Sequence, residues 1–351
     1  MYTPILKQFS QPNAVQIDDW RGGLLIRSTN WLGDALMTLP AIYQLRRVLP
    51  AGIPFSILCP ANLKSMWEAC PFVDNVVSMA QKRIVGAEVA TVRSLDPGVT
   101  LVLPNSFGSA LDAYKIKTPY RLGRRGRMRT LLLTHTIKEW PRGENIGACH
   151  QLSYYLELVS MLGAVEYSAS CEPMTANPDL AVQLGMDGDA PWLALAPGAA
   201  YGPAKQWSPK SFHRVAEEAI QKGWRVVVVG GPGDKNAAEE TAKDLKGVLN
   251  LAGKTNLAQL ISVLAKSDFV LSNDSGSMHL AAALGRSGLA IFGSTDPIAT
   301  GPVGGSWDLA ISEEFCRPCF KRTCPRGDVP YACLESITPE HVISRLPFAT
   351  S

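Results

Sequence analysis

At 351 residues the chain is long for one hydrophobic core and suits two domains. Its composition, 46% hydrophobic and 19% charged with glycine and proline spread along the length, excludes disordered, collagen-like and coiled-coil classes. A formal net charge of +3 is too small for the total to imply nucleic acid, so any charge argument must be local.

Met1 to Trp20 carries Asp18 and Asp19 and lacks an apolar core with a cleavage site, so no signal peptide is expected. No apolar stretch approaches the roughly 20 residues that cross a bilayer, which predicts a cytoplasmic protein without a transmembrane segment. In that compartment the eight cysteines read as reduced thiols or metal ligands rather than disulfides.

Gly23 to Arg27 is a short apolar run bounded by glycine, the first predicted strand. It leads through Ser28-Thr29-Asn30-Trp31-Leu32-Gly33-Asp34 into a helical pattern from Ala35 to Val48, stopped at Pro50. A strand over 54–59, a helix near 63–69 and a strand over 100–103 follow, the last running into Pro104-Asn105-Ser106. Strand then helix, repeated, predicts a parallel sheet with helices on both faces. The pattern restarts with a strand over 192–196, a helix over 211–222 and a strand over 225–229. A helix (234–245), a short strand (248–251) and a helix (257–265) come next. A strand (269–271), a helix (278–284) and a strand (288–292) close the series. Two doubly wound halves are expected, 1–175 and 191–335. A linker over 176–190 joins them, and a helix over 336–351 is expected to pack back toward the first half.

In such sheets ligands bind beyond the carboxyl ends of the strands, so the strand-to-helix turns are where chemistry is expected. The richest runs Asn273-Asp274-Ser275-Gly276 and straight into a helix. Backbone amides at a helix N-terminus favour phosphate, and Ser275 and Gly276 allow close approach. Asp274 is placed to accept from amide or sugar hydroxyls, and a plain helix cap is the bland alternative. Two companion turns follow neighbouring strands. Ala196 to Trp207 offers a loop with Lys205, a point charge suited to a diphosphate. Val229-Gly230-Gly231-Pro232-Gly233-Asp234 is glycine-rich, but it is neither a dinucleotide fingerprint nor a Walker loop. In the first half Asp34 sits where a carboxylate would face a cleft and act as general base.

Between Lys115 and Arg129 the residues Lys115, Lys117, Arg121, Arg124, Arg125, Arg127 and Arg129 accumulate without an acidic residue. That density points to an anionic ligand, and the lack of interleaved aromatics argues against base stacking. Cys316, Cys319, Cys324 and Cys333 gather half of the cysteines in one short segment. Their first gap suits a four-thiolate zinc site; the later gaps are irregular, so packed reduced thiols remain the competing reading.

Together these motifs resemble glycosyltransferase family 9, the heptosyltransferases of lipopolysaccharide core assembly, over nearly the whole chain from Gly23. The resemblance rests on Asn30-Trp-Leu-Gly-Asp-Ala-Leu-Met-Thr-Leu-Pro40, Leu103-Pro-Asn-Ser-Phe-Gly-Ser-Ala-Leu111 and Arg121-Leu-Gly-Arg-Arg-Gly-Arg127. In the second half it rests on Gly202-Pro-Ala-Lys-Gln-Trp207, Asn273-Asp-Ser-Gly-Ser-Met-His279 and Phe292-Gly-Ser-Thr-Asp-Pro297. It implies a GT-B fold: two Rossmann-like, doubly wound α/β domains facing across a cleft, acceptor on the N-terminal side and nucleotide sugar on the C-terminal side. It also implies a metal-independent, inverting transfer of L-glycero-D-manno-heptose from ADP-heptose to the heptosylated inner core of lipopolysaccharide, at the cytosolic surface of the inner membrane. On that pattern Asp34 and Lys205 are catalytic. Asp274, Ser275, Gly276, His279, Gly231 and Leu257 bind the donor, and Asn105, Ser106, Arg121, Arg124 and Arg127 bind the acceptor. One departure stands out: some members of the family carry hydroxyl residues in the loop before the lysine, where this chain has Ala199, Ala200 and Tyr201. Another nucleotide sugar, a sugar-nucleotide epimerase and a non-catalytic nucleic-acid binder are the competing functions. The last two leave the basic run or Asp34 without a use.

Overall fold

The computed structural model describes residues 1–8, 12–126, 128–140 and 148–348. The chain forms two compact units, Ile5–Thr175 and the chain from Ala176 onward joined by Met1–Pro4. The second membership corrects the expected boundary. The Tyr2 amide donates to the Trp307 carbonyl (2.6 Å) and its hydroxyl to the Pro297 carbonyl (2.7 Å). Gly301 lets that ring lie flat, because a Cβ there would sit 2.3 Å from it.

The N-terminal unit runs β1 (Leu24–Arg27), α1 (Leu32–Val48), β2 (Phe55–Pro60), α2 (Lys64–Glu68), β3 (Asn75–Met79) and α3 (Gly86–Ser94). It continues with β4 (Val99–Val102), α4 (Phe107–Ile116), β5 (Tyr120–Arg124), β6 (His135–Ile137) and α5 (Leu152–Val159). Its sheet is six-stranded and parallel, in the order β3-β2-β1-β4-β5-β6. The two central strands, β1 and β4, are buried at every residue, as expected where helices cover both faces. Sequence reading missed β3, α3, α4, β5, β6 and α5. β3 is an edge strand buried only at Met79, and β5 carries arginines that mask its apolar count.

Two buried ion pairs are built into this unit. At the end of β1, Arg27 (2% exposed) pairs through Nε with Asp112 of α4 (3.1 Å), whose other oxygen takes Arg83 Nε (2.9 Å) and the Ile84 amide (3.3 Å). Burial pulls the Arg27 guanidinium below its ordinary value, and Asp112 opposes that pull. Asp112→Ala leaves buried Arg27 uncompensated. The expected destabilisation is about 3–5 kcal/mol, readable as a lower denaturation midpoint; a midpoint equal to wild type would show the pair to be dispensable. The second pair joins Arg124 to Glu157 (2.5 Å), with Arg124 lying 3.8 Å over the Tyr154 ring.

The C-terminal unit runs α6 (Pro178–Gln183), β7 (Trp192–Ala196), α7 (Pro209–Gln221), β8 (Arg225–Val228), α8 (Lys235–Ala242), β9 (Val248–Asn250) and α9 (Leu257–Lys266). Then come β10 (Phe269–Asn273), α10 (Gly276–Ala283), β11 (Ser287–Phe292), α11 (Pro297–Thr300), β12 (Trp307–Ile311), α12 (Ala332–Glu335) and α13 (Pro339–Ile343). Its sheet is also six-stranded and parallel, in the order β12-β11-β10-β7-β8-β9. The expected linker over 176–190 is instead partly helical and belongs to this unit: Asn177 caps α6 by accepting from the Asp179 amide (3.0 Å), with Pro178 as the first helical residue. The described part of the expected helix over 336–351 packs within this unit. Val342, Leu346 and Phe348 are buried with Phe212 and Val215 of α7 in the core of the C-terminal unit. The apolar spacing of that tail matches the stripe of α7, which buries Phe212, Val215, Ala216 and Ala219.

Candidate functional site

Each sheet reverses its winding once. In the C-terminal unit the reversal lies between β7 and β10, which pair from Phe269↔Leu193 to Ser272↔Ala196. Their carboxyl ends therefore diverge into loops that leave a crevice between them. Those loops are the ones carrying Lys205 and Asp274.

Asn273, fully buried, is a staple between them rather than a ligand group. Its Nδ2 donates to the Pro197 carbonyl (2.7 Å), and its Oδ1 accepts from the Trp207 amide (3.1 Å). Next to it, Asp274 is 4% exposed and its Oδ2 accepts from Lys205 Nζ (2.5 Å) and from the Thr295 hydroxyl (2.6 Å). The helix-cap alternative for Asp274 fails: the residue at that position of α10 is Ser275, whose hydroxyl lies 3.2 Å from that of Ser272 and caps nothing. Among the described residues, no N-cap side chain accepts from the first amides of α10, and Ser275, Gly276 and Ser277 are half-exposed there. A helix start of that kind holds an anion with several donors at once. His279 is buried one turn further along α10.

The glycine-rich turn after β8 joins the same face. The Gly231 amide donates to Asp234 Oδ2 (2.8 Å), so the carboxylate serves its own turn. Gly198, in the loop after β7, faces that carboxylate so closely that a Cβ would stand 2.0 Å from Asp234 Cγ. Glycine is needed there for close approach. Leu257 begins α9 behind an Asn256–Gln259 capping box and is half-buried.

In the N-terminal unit the reversal lies between β1 and β4, so Asp34 and the Asn105–Ser106 turn leave neighbouring strand ends. Asp34 lies inside the first turn of α1, which starts at Leu32, three residues earlier than expected. The Arg27 network holds the approach to it: Arg27 donates to the Ser28 carbonyl (2.5 Å) and to Asn30 Oδ1 (3.1 Å), and Trp67 Nε1 donates to Ser28 Oγ (3.0 Å). Asp34 is half-exposed, and its charge adds to burial in pushing the Tyr155 phenol above its ordinary range. Ser106 is the N-cap of α4, accepting from the Ser109 amide (3.2 Å), and Asn105 beside it is half-buried.

The basic run does not form one ligand surface. Arg124 (1% exposed) is committed to Glu157 and to the carbonyls of Lys138 (2.8 Å) and Tyr154 (2.7 Å), so its expected role toward an acceptor is corrected to a structural one. Arg129 is fully buried, donates to the Pro104 carbonyl (2.6 Å) and lies against Gly123. Both face inward because arginine can bury when its fork finds partners. Arg127 lies outside the described residues. Arg121, at the amino end of β5, donates to the carbonyls of Thr118 (2.5 Å) and Leu132 (2.8 Å), so its expected acceptor role is corrected as well. With Val85, Val89, Arg93, Lys115 and Lys117 it lines an open pocket of about 740 Å³ at the far end of α4 from Ser106.

Cys316, Cys319, Cys324 and Cys333 line one small cavity. Burial raises the Cys333 thiol, and the other three sulfurs push it the same way. Among the described residues, no three His, Cys, Asp or Glu side chains are placed to hold a metal ion. Three residues of the quoted motifs were given no role by the sequence: Thr295 on Asp274, Tyr201 under Lys205 (4.9 Å from ring centroid to Nζ), and Trp31, 74% exposed three residues before Asp34. Thr295 lies 21 residues from its partner, and no spacing rule flags it.

The model of glycosyltransferase family 9 (heptosyltransferase) matches residues 91–329. Lipopolysaccharide heptosyltransferase 2 of Escherichia coli (strain K12) is 29% identical over 307 residues, covering 80% of this chain and 85% of that protein. Among solved structures, E. coli ADP-heptose lps heptosyltransferase II superposes with a TM-score of 0.77 at 24% identity, covering 92% of this chain and 96% of that one. The glycosyl transferase family 9 protein of Veillonella parvula DSM 2008 gives 0.79 at 20% identity, covering 97% and 100%. At these identities the structural likeness carries the fold, and its two Rossmann-like units are those described above.

Proposed function

Because the chain belongs to glycosyltransferase family 9 (heptosyltransferase), we propose that it transfers heptose from ADP-heptose to the heptosylated inner core of lipopolysaccharide, with inversion at the anomeric carbon. The observation that carries the donor half is the Lys205–Asp274 pair at the β7/β10 reversal, beside the uncapped start of α10. Negative charge grows on the departing diphosphate as the glycosidic bond breaks, and preorganised donors aimed there lower the barrier. The α10 amides, Ser275 and Lys205 supply those donors, while Gly231, Leu257 and His279 flank the nucleotide and sugar. Asp274 orients Lys205, and its second oxygen is assigned to the heptose hydroxyls.

On the acceptor side Asp34 takes the proton from the attacking hydroxyl. The oxygen's electron pair then forms the new bond to the anomeric carbon, and the pair of the old bond leaves with ADP. Asn105 and Ser106 are assigned to the anionic acceptor; Arg124 is withdrawn from that set, and so is Arg121, which sits at the amino end of β5, away from the strand ends that carry Asp34 and Ser106. No metal takes part in the transfer. Structural zinc at the four cysteines stays a separate proposal, ended by finding less than about half an equivalent per chain. Among the described residues no helix is long and apolar enough to cross a membrane. Contact with the cytosolic face of the inner membrane is part of the same reading.

A donor screen by thermal shift tests the proposal, since a ligand bound only by the folded state raises its melting temperature. ADP should stabilise the protein where UDP and GDP at equal concentration do not. Equal stabilisation by all three would remove the adenine nucleotide, and with it ADP-heptose, from the account.

A further inference from the structure

In the donor crevice the one lysine of the β7 loop is already neutralised. Lys205 Nζ stands 2.5 Å from the Asp274 carboxylate, with side-chain exposures of 13% and 3%. A nucleoside diphosphate brings at least two negative charges, and a neutral ion pair plus helix amides leaves that charge incompletely met.

A second cation, Arg322, stands against the same loop. The Tyr201 ring carries Lys205 Nζ 4.9 Å from its centroid and the Arg322 guanidinium carbon 5.1 Å from it. Arg322 is exposed, and among the described residues it forms no ion pair. It sits in the segment between Cys319 and Cys324, and that segment is bonded to the donor loop at several points. The Ala204 amide donates to the Arg322 carbonyl (3.0 Å), and the Tyr201 hydroxyl to the Phe320 carbonyl (2.9 Å). The Ser294 amide donates to the Ala204 carbonyl (3.2 Å), and the Phe320 amide to the Ser294 carbonyl (2.8 Å). Gly202, at φ 147°, lets the backbone approach this closely: a Cβ there would lie 2.6 Å from the Arg322 oxygen. The guanidinium is therefore presented on a fixed backbone, its face on an aromatic ring and its donors open to solvent.

We infer that Arg322 is a donor-binding residue that gives the diphosphate of the nucleotide sugar its second cation, with Tyr201 as the platform that orients it. This rests on the donor reading above and adds to it the source of the missing charge.

The test is calorimetric titration of the full-length chain and its Arg322→Gln and Arg322→Lys variants with ADP and with adenosine. Arg322→Gln should weaken ADP binding by about 10- to 30-fold, corresponding to about 1.4–2 kcal/mol. Adenosine affinity should stay unchanged, and Arg322→Lys should recover part of the loss. The salt dependence of ADP binding should flatten in the glutamine variant, since one charge contact is gone. Unchanged ADP affinity in Arg322→Gln overturns the inference, as does an equal loss for adenosine, which would mark a general loosening of the loop. Failure of the wild-type protein to bind ADP would overturn the donor reading itself, an outcome visible in a different arm.

Discussion

Asp34→Asn should reduce turnover by about 10²- to 10⁴-fold, the range for loss of a positioned general base, while ADP affinity stays at the wild-type value. The substitution is nearly isosteric and keeps the first turn of α1 intact, so the protein should melt within a degree or two of wild type. What it removes is the proton acceptor. The carboxylate is half-exposed at the start of a buried helix, beside a turn fixed by Arg27 to Ser28 and Asn30. A general base must be both placed and reachable, and the β1 turn satisfies both. Near-normal turnover in Asp34→Asn would reassign the base.

The second large effect falls on the donor pair. Lys205→Ala should lower kcat by about 10²- to 10³-fold, the usual cost of removing one preorganised donor to a developing anion, and should weaken ADP binding as well. It also strands a carboxylate that is 3% exposed in its side chain, leaving Asp274 with the Thr295 hydroxyl as its named partner, so stability should fall too. Asp274→Asn separates the two contributions: it keeps Lys205 but releases it from its anchor. The double variant should then show coupling of about 0.5–3 kcal/mol in ADP binding, because the two residues act as one unit. Strict additivity would mean that they contact the ligand independently. Unchanged ADP affinity in Lys205→Ala would remove the lysine from the site.

How much of this was legible in the sequence depended on the range of the interaction involved. The apolar runs at 24–26, 192–196 and 269–271 gave away three central strands, because a strand covered on both faces reads as continuous hydrophobicity. The turn chemistry after β7 and β10 was visible because small residues before a helix have few other uses. What the sequence hid was pairing across distance. Arg124 looks like surface charge until Glu157 and Tyr154 fold onto it from α5, 33 and 30 residues away. Asp274 read first as a cap and then as a sugar contact. Its ion pair with Lys205, 69 residues earlier, required the sheet order that sets β7 beside β10. The tail after Thr338 is short and amphipathic, and only the apolar stripe of α7 decides where it docks.

Transfer from an ADP-sugar to an acceptor hydroxyl is tested most directly by incubating the purified chain with ADP-heptose and a heptosylated lipopolysaccharide core, and following ADP release and acceptor mass together. One ADP should be released for each acceptor made heavier by one heptose, and none without acceptor. ADP released without acceptor gain, or an acceptor unchanged after prolonged incubation with intact donor, would contradict it.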